Sequence, residues 1–486
     1  MHSAEEIQTG PAASITSTRQ LQLLDEFRVP YSVAPRASAA GSWHQMSAGR
    51  RPRALHWCTA HDGPARRYTL GDTPIWGHVA PETAVAEYVA GLDGDWHRAV
   101  PVLAPDGTCR ASVWQTADGG TVLPFDPDEL VANLRSERYR ELGRRSLRSL
   151  SQRAYYAVKP AVPHGLQVFL RQLFSHAQRR VSFPRWPIEP ALHDLADFIL
   201  ERVADATGEP VPYLAPWPAG RAWALVLTHD VETSAGRDGI GRLRAVEEPA
   251  GYRSSWNLVP ERYRVDDDLV ADLKSAGHEV GVHGLRHDGR DLASLEILRK
   301  RLPEIQRWAK RWGAVGFRSP ATHRRWEWMP MLGFDYDSSY PDTDPYEPIP
   351  GGCCSWLPFF NQDQVELPIT LPQDHTLFVI LKRDDRIWHQ KTEVLRARGG
   401  MALLIVHPDY MLDDAPLSMY SDLLNAYQAD ETAWKALPCE VSAWWRARAA
   451  TSIHYVDGTW RAAGPAADRA TVGFVAPPEA AAVTAA

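Results

Sequence analysis

Cysteine is scarce in this sequence, and the five that occur, Cys58, Cys109, Cys353, Cys354 and Cys439, are odd in number. No disulfide framework is implied, and reduced thiols fit the chain best. Positive charge is not in excess either. Lys and Arg total 53 against 60 Asp and Glu, a net charge of -7, which argues against a nucleic-acid partner. No apolar run approaches the ~20 residues of a membrane-spanning helix, so no transmembrane segment is expected. The N-terminal stretch MHSAEEIQTGPAASITSTRQ lacks a basic region followed by an apolar core. It does not read as a secretory leader, and a cytoplasmic protein is the expectation.

What remains is ordinary globular material, with 44% apolar and 23% charged residues. A chain of 486 residues has room for two or more domains. Its 19 tryptophans suit a core, and their flat faces also suit sugars.

The texture changes along the chain. Residues 1–41 are rich in Ala, Ser and Thr without periodicity and predict a disordered tail. Residues 42–125 alternate short apolar runs with turn signals such as Pro105-Asp106-Gly107, which predicts a small β-rich module. Within it, Cys58 and His61 are three apart and His56 is close, but further ligands at zinc spacing are missing, so a structural role is expected. Residues 126–215 predict a helical region and linker, opening at Asp126-Pro127. Arginines interleave with Leu, Phe and Tyr in ELGRRSLRSLSQRAYY and HGLQVFLRQLFSHAQRR. Such faces usually pack or are solvated, although peripheral contact with an anionic membrane also fits them. Residues 216–455 alternate apolar runs (AWALVLT, SSWNLV, EVGVH, AVGF, VELPI, TLFVIL, MALLIV) with helical stretches, which predicts parallel strands and crossover helices in an α/β fold. Residues 456–486, rich in Ala and Pro, predict a second disordered tail.

Chemistry gathers where these strands end. In LVLTHDVETSAG, Asp230 and Glu232 share a face if the chain stays extended. Two carboxylates so close call for a cation, a shared proton or water. His283 follows the strand EVGV and His287 comes four residues later, on one face if a helical turn follows. Two imidazoles and one carboxylate form the set found in catalytic zinc sites; Zn²⁺ suits it, and Co²⁺ or Ni²⁺ would also fit. Arg318 in GFRSP offers a permanent cation to a carboxylate that must stay ionised. His407 ends the strand LLIV, where it can donate a proton near neutral pH.

In this order the motifs THDVE, HGLRH, RSP, FDYDSSYPD and LLIVH resemble the polysaccharide deacetylase family (the NodB-homology domain, carbohydrate esterase family 4), over roughly residues 221–413. The resemblance implies a distorted (β/α) barrel holding a zinc-like ion and hydrolysing N-acetyl groups on a carbohydrate substrate. It implies that Asp230 is the general base, His283 and His287 are metal ligands, His407 is the general acid and Arg318 orients the base. Glu232 stands where some members place the carboxylate ligand. Asp337 is the nearest match to the acid of the fourth motif. The sequence departs from the usual pattern in the Val231 between its two acids, in Gly284 where many members carry Ser or Thr, and in the missing aspartate–tryptophan pair. Two rival expectations follow, an amidohydrolase of another small C–N substrate such as a ureide, and a non-catalytic carbohydrate-binding or assembly module.

Overall fold

The computed structural model describes residues 21–38, 41–47, 54–60, 65–142, 172, 178 and 181–477. Two sheets dominate it. The first runs from residue 32 to 123, with strands β1 (Ser32–Ser38), β2 (Gly41–Ser47), β3 (Ala54–Ala60), β4 (Arg66–Leu70), β5 (Thr73–Gly77), β6 (Trp96–Leu103), β7 (Cys109–Thr116) and β8 (Thr121–Leu123). Their order is β1-β2-β3-β8-β7-β6-β4-β5, antiparallel except where β3 meets β8. The helix Pro127–Arg135 follows, capped by the Asp126 side chain, which accepts from Asp128 N at 3.1 Å. The two arginine-interleaved segments fall almost wholly outside the described residues.

The second sheet carries the site. A short strand β9 (Val211–Leu214) precedes β10 (Trp223–Val231), β11 (Ser254–Leu258), β12 (Glu279–Val282), β13 (Gly316–Phe317), β14 (Tyr336–Asp337), β15 (Phe359–Asn361), β16 (Gln364–Glu366), β17 (Met401–Val406) and β18 (Ala433–Lys435). The order is β15-β16-β14-β13-β12-β11-β10-β17, with β18 also on β10 and every pair parallel except β15 with β16. Each residue of β10 and β17 is buried, as expected of parallel strands covered on both faces. Helices Ser234–Glu247, Asp267–Ser275 and Leu295–Trp312 make the crossovers. Leu295–Trp312 begins at a Ser294 cap on Ile297 N and ends at Gly313.

The ladder is curled but does not run as a full barrel. After β16 the chain reads Leu367-Pro368-Ile369-Thr370-Leu371-Pro372. Its prolines have no N–H to offer, so β16 stops short and the edges meet through local bonds. Leu371 N donates to Leu403 O at 3.0 Å and Leu403 N to Thr370 Oγ1 at 2.8 Å.

Three further expectations are corrected. TLFVIL is not a strand: His375–Ile380 is a π-helical turn. The run is too short for periodicity to separate the two, and Asp374 caps it by accepting from His375 N at 2.7 Å. The first expected tail contains the helix Gln22–Glu26 and strand β1, because Leu21, Leu23 and Leu24 are buried in the first core. The second contains strands Thr459–Ala463 and Val472–Val475, the latter paired with β9.

The two sheets are stapled together. Arg324 donates to Glu137 at 2.6 Å in a buried ion pair, and Tyr139 OH donates to Gly352 O at 2.8 Å. Trp356 N donates to His193 Nε2 at 2.8 Å beneath stacked rings. Arg448, buried, donates to Ala215 O at 3.1 Å, Leu214 O at 2.5 Å and Glu26 O. Burial brings its guanidinium down to about 9.

Candidate active site

The carboxyl ends of β10, β11, β12, β13 and β17 point into one region, where α/β sheets generally build their sites. Asp230 is the penultimate residue of β10. Its Oδ1 accepts from Asn257 Nδ2 at 2.9 Å and from Arg318 at 3.0 Å, leaving Oδ2 facing His283 Nε2 at 3.8 Å. Burial pushes the Asp230 carboxyl up, but Arg318, His283, His407 and the Asn257 hydrogen bond together bring it down to about 2. Gly281 on β12 leaves space for the Asn257 side chain, since a Cβ there would lie 2.2 Å from Asn257 Oδ1.

Arg318 is buried and makes four hydrogen bonds. Beyond Asp230 it donates to Thr228 Oγ1, Ser338 O and Ser338 Oγ, each at 2.8 Å. The alternation expected of β10 holds. His229 points away, toward Glu247 at 2.7 Å and onto the Trp256 ring, while Asp230 and Glu232 face the cluster.

His283 Nδ1 lies 3.0 Å from Arg318 O, a bond that requires Nδ1 to carry the hydrogen. Its Nε2 is therefore a bare lone pair, buried and without a hydrogen-bond partner among the described residues. Burial, the largest influence, brings this imidazole down to about 4, so it is neutral. Glu232 Oε1 lies 4.0 Å from that nitrogen and 2.8 Å from His287 Nε2. Burial opposes ionisation of Glu232, but His287 and the other two imidazoles hold its carboxyl well below the usual range. One donor atom from each of Glu232, His283 and His287 lies within 4.8 Å of the others. An orphaned buried nitrogen, a second imidazole and an ionised carboxylate fit a divalent cation.

The route by which His287 arrives differs from expectation. No helical turn follows β12; Gly284 (φ +65°) and His287 (φ 54°) adopt left-handed conformations that fold the loop back, bringing the two rings to 5.1 Å. Gly284 is required twice over. Its conformation disfavours a side chain, and a Cβ would lie 2.5 Å from Asp291 Oδ2 and 2.7 Å from Pro320. That accounts for the glycine where the resemblance leads one to expect Ser or Thr.

His407 follows β17, with Nδ1 2.6 Å from Asp374 Oδ1 and its backbone N donating to Asp374 Oδ2 at 2.7 Å. Its Nε2 faces Glu232 Oε1 at 3.7 Å. Burial opposes the charged ring, yet the Asp374 carboxylate, helped by Glu232 and Asp230, raises it to about 10.

Asp337 does not join this group. It is fully buried at the end of β14, accepting from Ser339 Oγ at 2.7 Å, and it pairs in register with Glu366 on β16. Burial raises Asp337 to about 6, and raises Glu366 further because Asp337 sits against it. Its hydrogen bonds run behind Arg318, whose own bonds go to Ser338. Sequence reasoning missed Asp374, Asn257 and Asp409, the last of which accepts from Glu232 N at 3.1 Å. Asn257 had left a signal, a lone amide in a buried strand that needs a partner.

No protein-family model and no curated protein matches the sequence. Among solved structures, the chain is similar to a protein named as a polysaccharide deacetylase from Mycobacterium smegmatis, with 20% identity and a TM-score of 0.41 over 48% of this chain and 94% of that one. It is similar to Puue allantoinase, with 17% identity and a TM-score of 0.40 over 48% and 92%. It is also similar to a family 4 carbohydrate esterase from Streptomyces lividans in complex with acetate, with 13% identity and a TM-score of 0.30 over 52% and 98%. Among the described residues, no helix is long and apolar enough to cross a membrane.

Proposed function

We propose that the protein is a metal-dependent hydrolase that removes N-acetyl groups from a carbohydrate. The observation that carries the reading is the pairing of opposites about one cluster. A carboxylate kept ionised (Asp230) and an imidazole kept charged (His407) flank a set of two histidines and a glutamate. A base and an acid held apart in this way suit cleavage of an amide.

Glu232, His283 and His287 would hold the cation, which when bound supplies Lewis acidity and lowers the pKa of water from ~16 to about 7. Asp230 Oδ2, the oxygen not engaged by Asn257 and Arg318, accepts the proton of the water that attacks the acetamide carbonyl. Arg318 keeps that carboxylate charged and fixes its angle. His407 Nδ1 is tied to Asp374, so the proton delivered to the leaving amine is the one on Nε2. Asp374 then stabilises the imidazolium until that transfer. Asp337 takes no part in these transfers and supports the strand end behind Arg318.

The test is acetate release from N-acetylated oligosaccharides by metal-loaded protein, with ureides assayed in parallel. Release that disappears on chelation and returns with zinc is the expected result. Turnover of a ureide alone would overturn the carbohydrate assignment, and inactivity of the zinc-loaded protein on both would overturn the catalytic one.

A further inference from the structure

The two imidazoles of the cluster carry their hydrogens on opposite nitrogens. His283 presents a bare Nε2, because its Nδ1 donates to Arg318 O. At His287 the neighbour is Arg262, whose guanidinium nitrogen lies 2.7 Å from Nδ1 and also donates to His287 O at 3.2 Å. A guanidinium has donors and no acceptor. His287 Nδ1 must therefore be the unprotonated nitrogen, and Nε2 carries the hydrogen that it donates to Glu232 Oε1 at 2.8 Å. A ring nitrogen bearing hydrogen has no lone pair left for a cation.

Arg262 differs from its neighbours in a second respect. Arg264 pairs with Asp266, Arg286 with Glu261 and Arg237 with Asp238. Arg262 is exposed and, among the described residues, its acceptors are the two atoms of His287. Among the described residues no carboxylate pairs with it, and its hydrogen bonds go to this histidine alone.

We infer that Arg262 gates loading of the cluster. It holds His287 in the non-ligating tautomer, and a divalent cation completes its ligand set only when the guanidinium leaves Nδ1 and the ring hydrogen moves from Nε2 to Nδ1. No proton is gained or lost in the exchange. Arg262 is thus a positioning residue acting through His287, and this inference rests on the reading that Glu232, His283 and His287 hold the cation. Once released, Nδ1–H needs an acceptor, which arginine cannot be and glutamine can.

The experiment is a zinc titration of the full chain, first stripped of metal, in competition with a chromophoric chelator. Partners behind a metal-ligating histidine typically change metal affinity by about 10–100-fold. Arg262→Gln should bind zinc more tightly than the wild type by about that factor, while Arg262→Lys, which keeps a donor, should stay close to wild type. Equal or weaker binding in Arg262→Gln, or equal tightening in Arg262→Lys, overturns the gate. His283→Ala separates the two levels of failure. Zinc that survives this substitution, or its absence from every form including wild type, removes the proposed site and the gate with it. Zinc that depends on His283 but ignores Arg262→Gln removes the gate alone.

Discussion

His283 and His287 are separated by three residues, yet they are held by different kinds of structure. His283 continues β12: its backbone N donates to Leu258 O at 2.9 Å, its ring is anchored on Arg318 O, and it is 1% exposed. His287 sits in a left-handed conformation on a loop, its side chain 15% exposed, between Glu232 and the solvent-facing Arg262. The same division runs through the whole cluster. Asp230, Arg318 and His407 are buried at strand ends and locked by Asn257, Ser338 and Asp374. Glu232 lies one residue beyond β10, in the run toward the next helix. The groups proposed as base and acid thus sit in the sheet, whereas two of the three groups proposed to hold a cation lie on connecting segments, the more adjustable half of the site.

The largest effect should come from breaking the fixed half. Asp230→Asn keeps the shape and removes the proposed base, so kcat should fall by about 10²–10⁴-fold with zinc content unchanged by elemental analysis. Loss of metal in that variant would put Asp230 among the ligands and erase the division. Next comes the adjustable half. Gly284→Ser forces a side chain into a left-handed position against Asp291 and Pro320, at a cost of about 1–3 kcal/mol. Thermal unfolding should show the loss together with weakened zinc binding. An unchanged melting temperature would mean the loop is freer than its contacts indicate.

A third substitution sharpens the acid side. His407 stays charged up to about pH 10 because of Asp374, so Asp374→Asn removes the main cause and the charged form then survives only to a lower pH. The alkaline limb of the pH–activity profile should move down by about 1–3 units. The smallest effect is expected behind Arg318. Asp337 and Glu366 hold protons in the folded chain that an unfolded chain releases at ordinary carboxylate pH, so stability falls as pH rises from near 4 through about 6. Glu366→Gln keeps the oxygen that accepts from Ser339 N and Tyr340 N and removes one of those protons. Its melting temperature should drop less between pH 5 and pH 8 than that of the wild type, by about 1–2 °C.

What could be read from the sequence follows the same line. Alternation along an extended strand was enough to put Asp230 and Glu232 on one face and His229 on the other. The histidine spacing also pointed to a shared cluster, but for the wrong local reason, since two left-handed residues rather than a helical turn bring the rings together. Asp374 stayed hidden because TLFVIL is short enough to pass for a strand, and a carboxylate just before a strand carries no signal as a helix cap. The incomplete closure of the ladder depends on Pro368 and Pro372 at an edge, a position that pairing decides and local pattern does not. Asp337 is a candidate site acid in the sequence only as the nearest match to the acid of the fourth motif, FDYDSSYPD. Only the fold reveals Glu366 as its partner, from a strand almost thirty residues away.

The Arg448 guanidinium has a practical consequence for anyone who trims this protein. Its hydrogen-bond acceptors are three main-chain oxygens, those of Glu26, Leu214 and Ala215, all contributed by chain that precedes the second sheet. A fragment started at residue 216 would strip all three acceptors from this guanidinium and uncover the face it packs in, at roughly 1.5–3 kcal/mol per lost bond. Expression of the isolated C-terminal half should therefore give aggregated or poorly behaved material, and recovery by Arg448→Met would trace the fault to this one side chain.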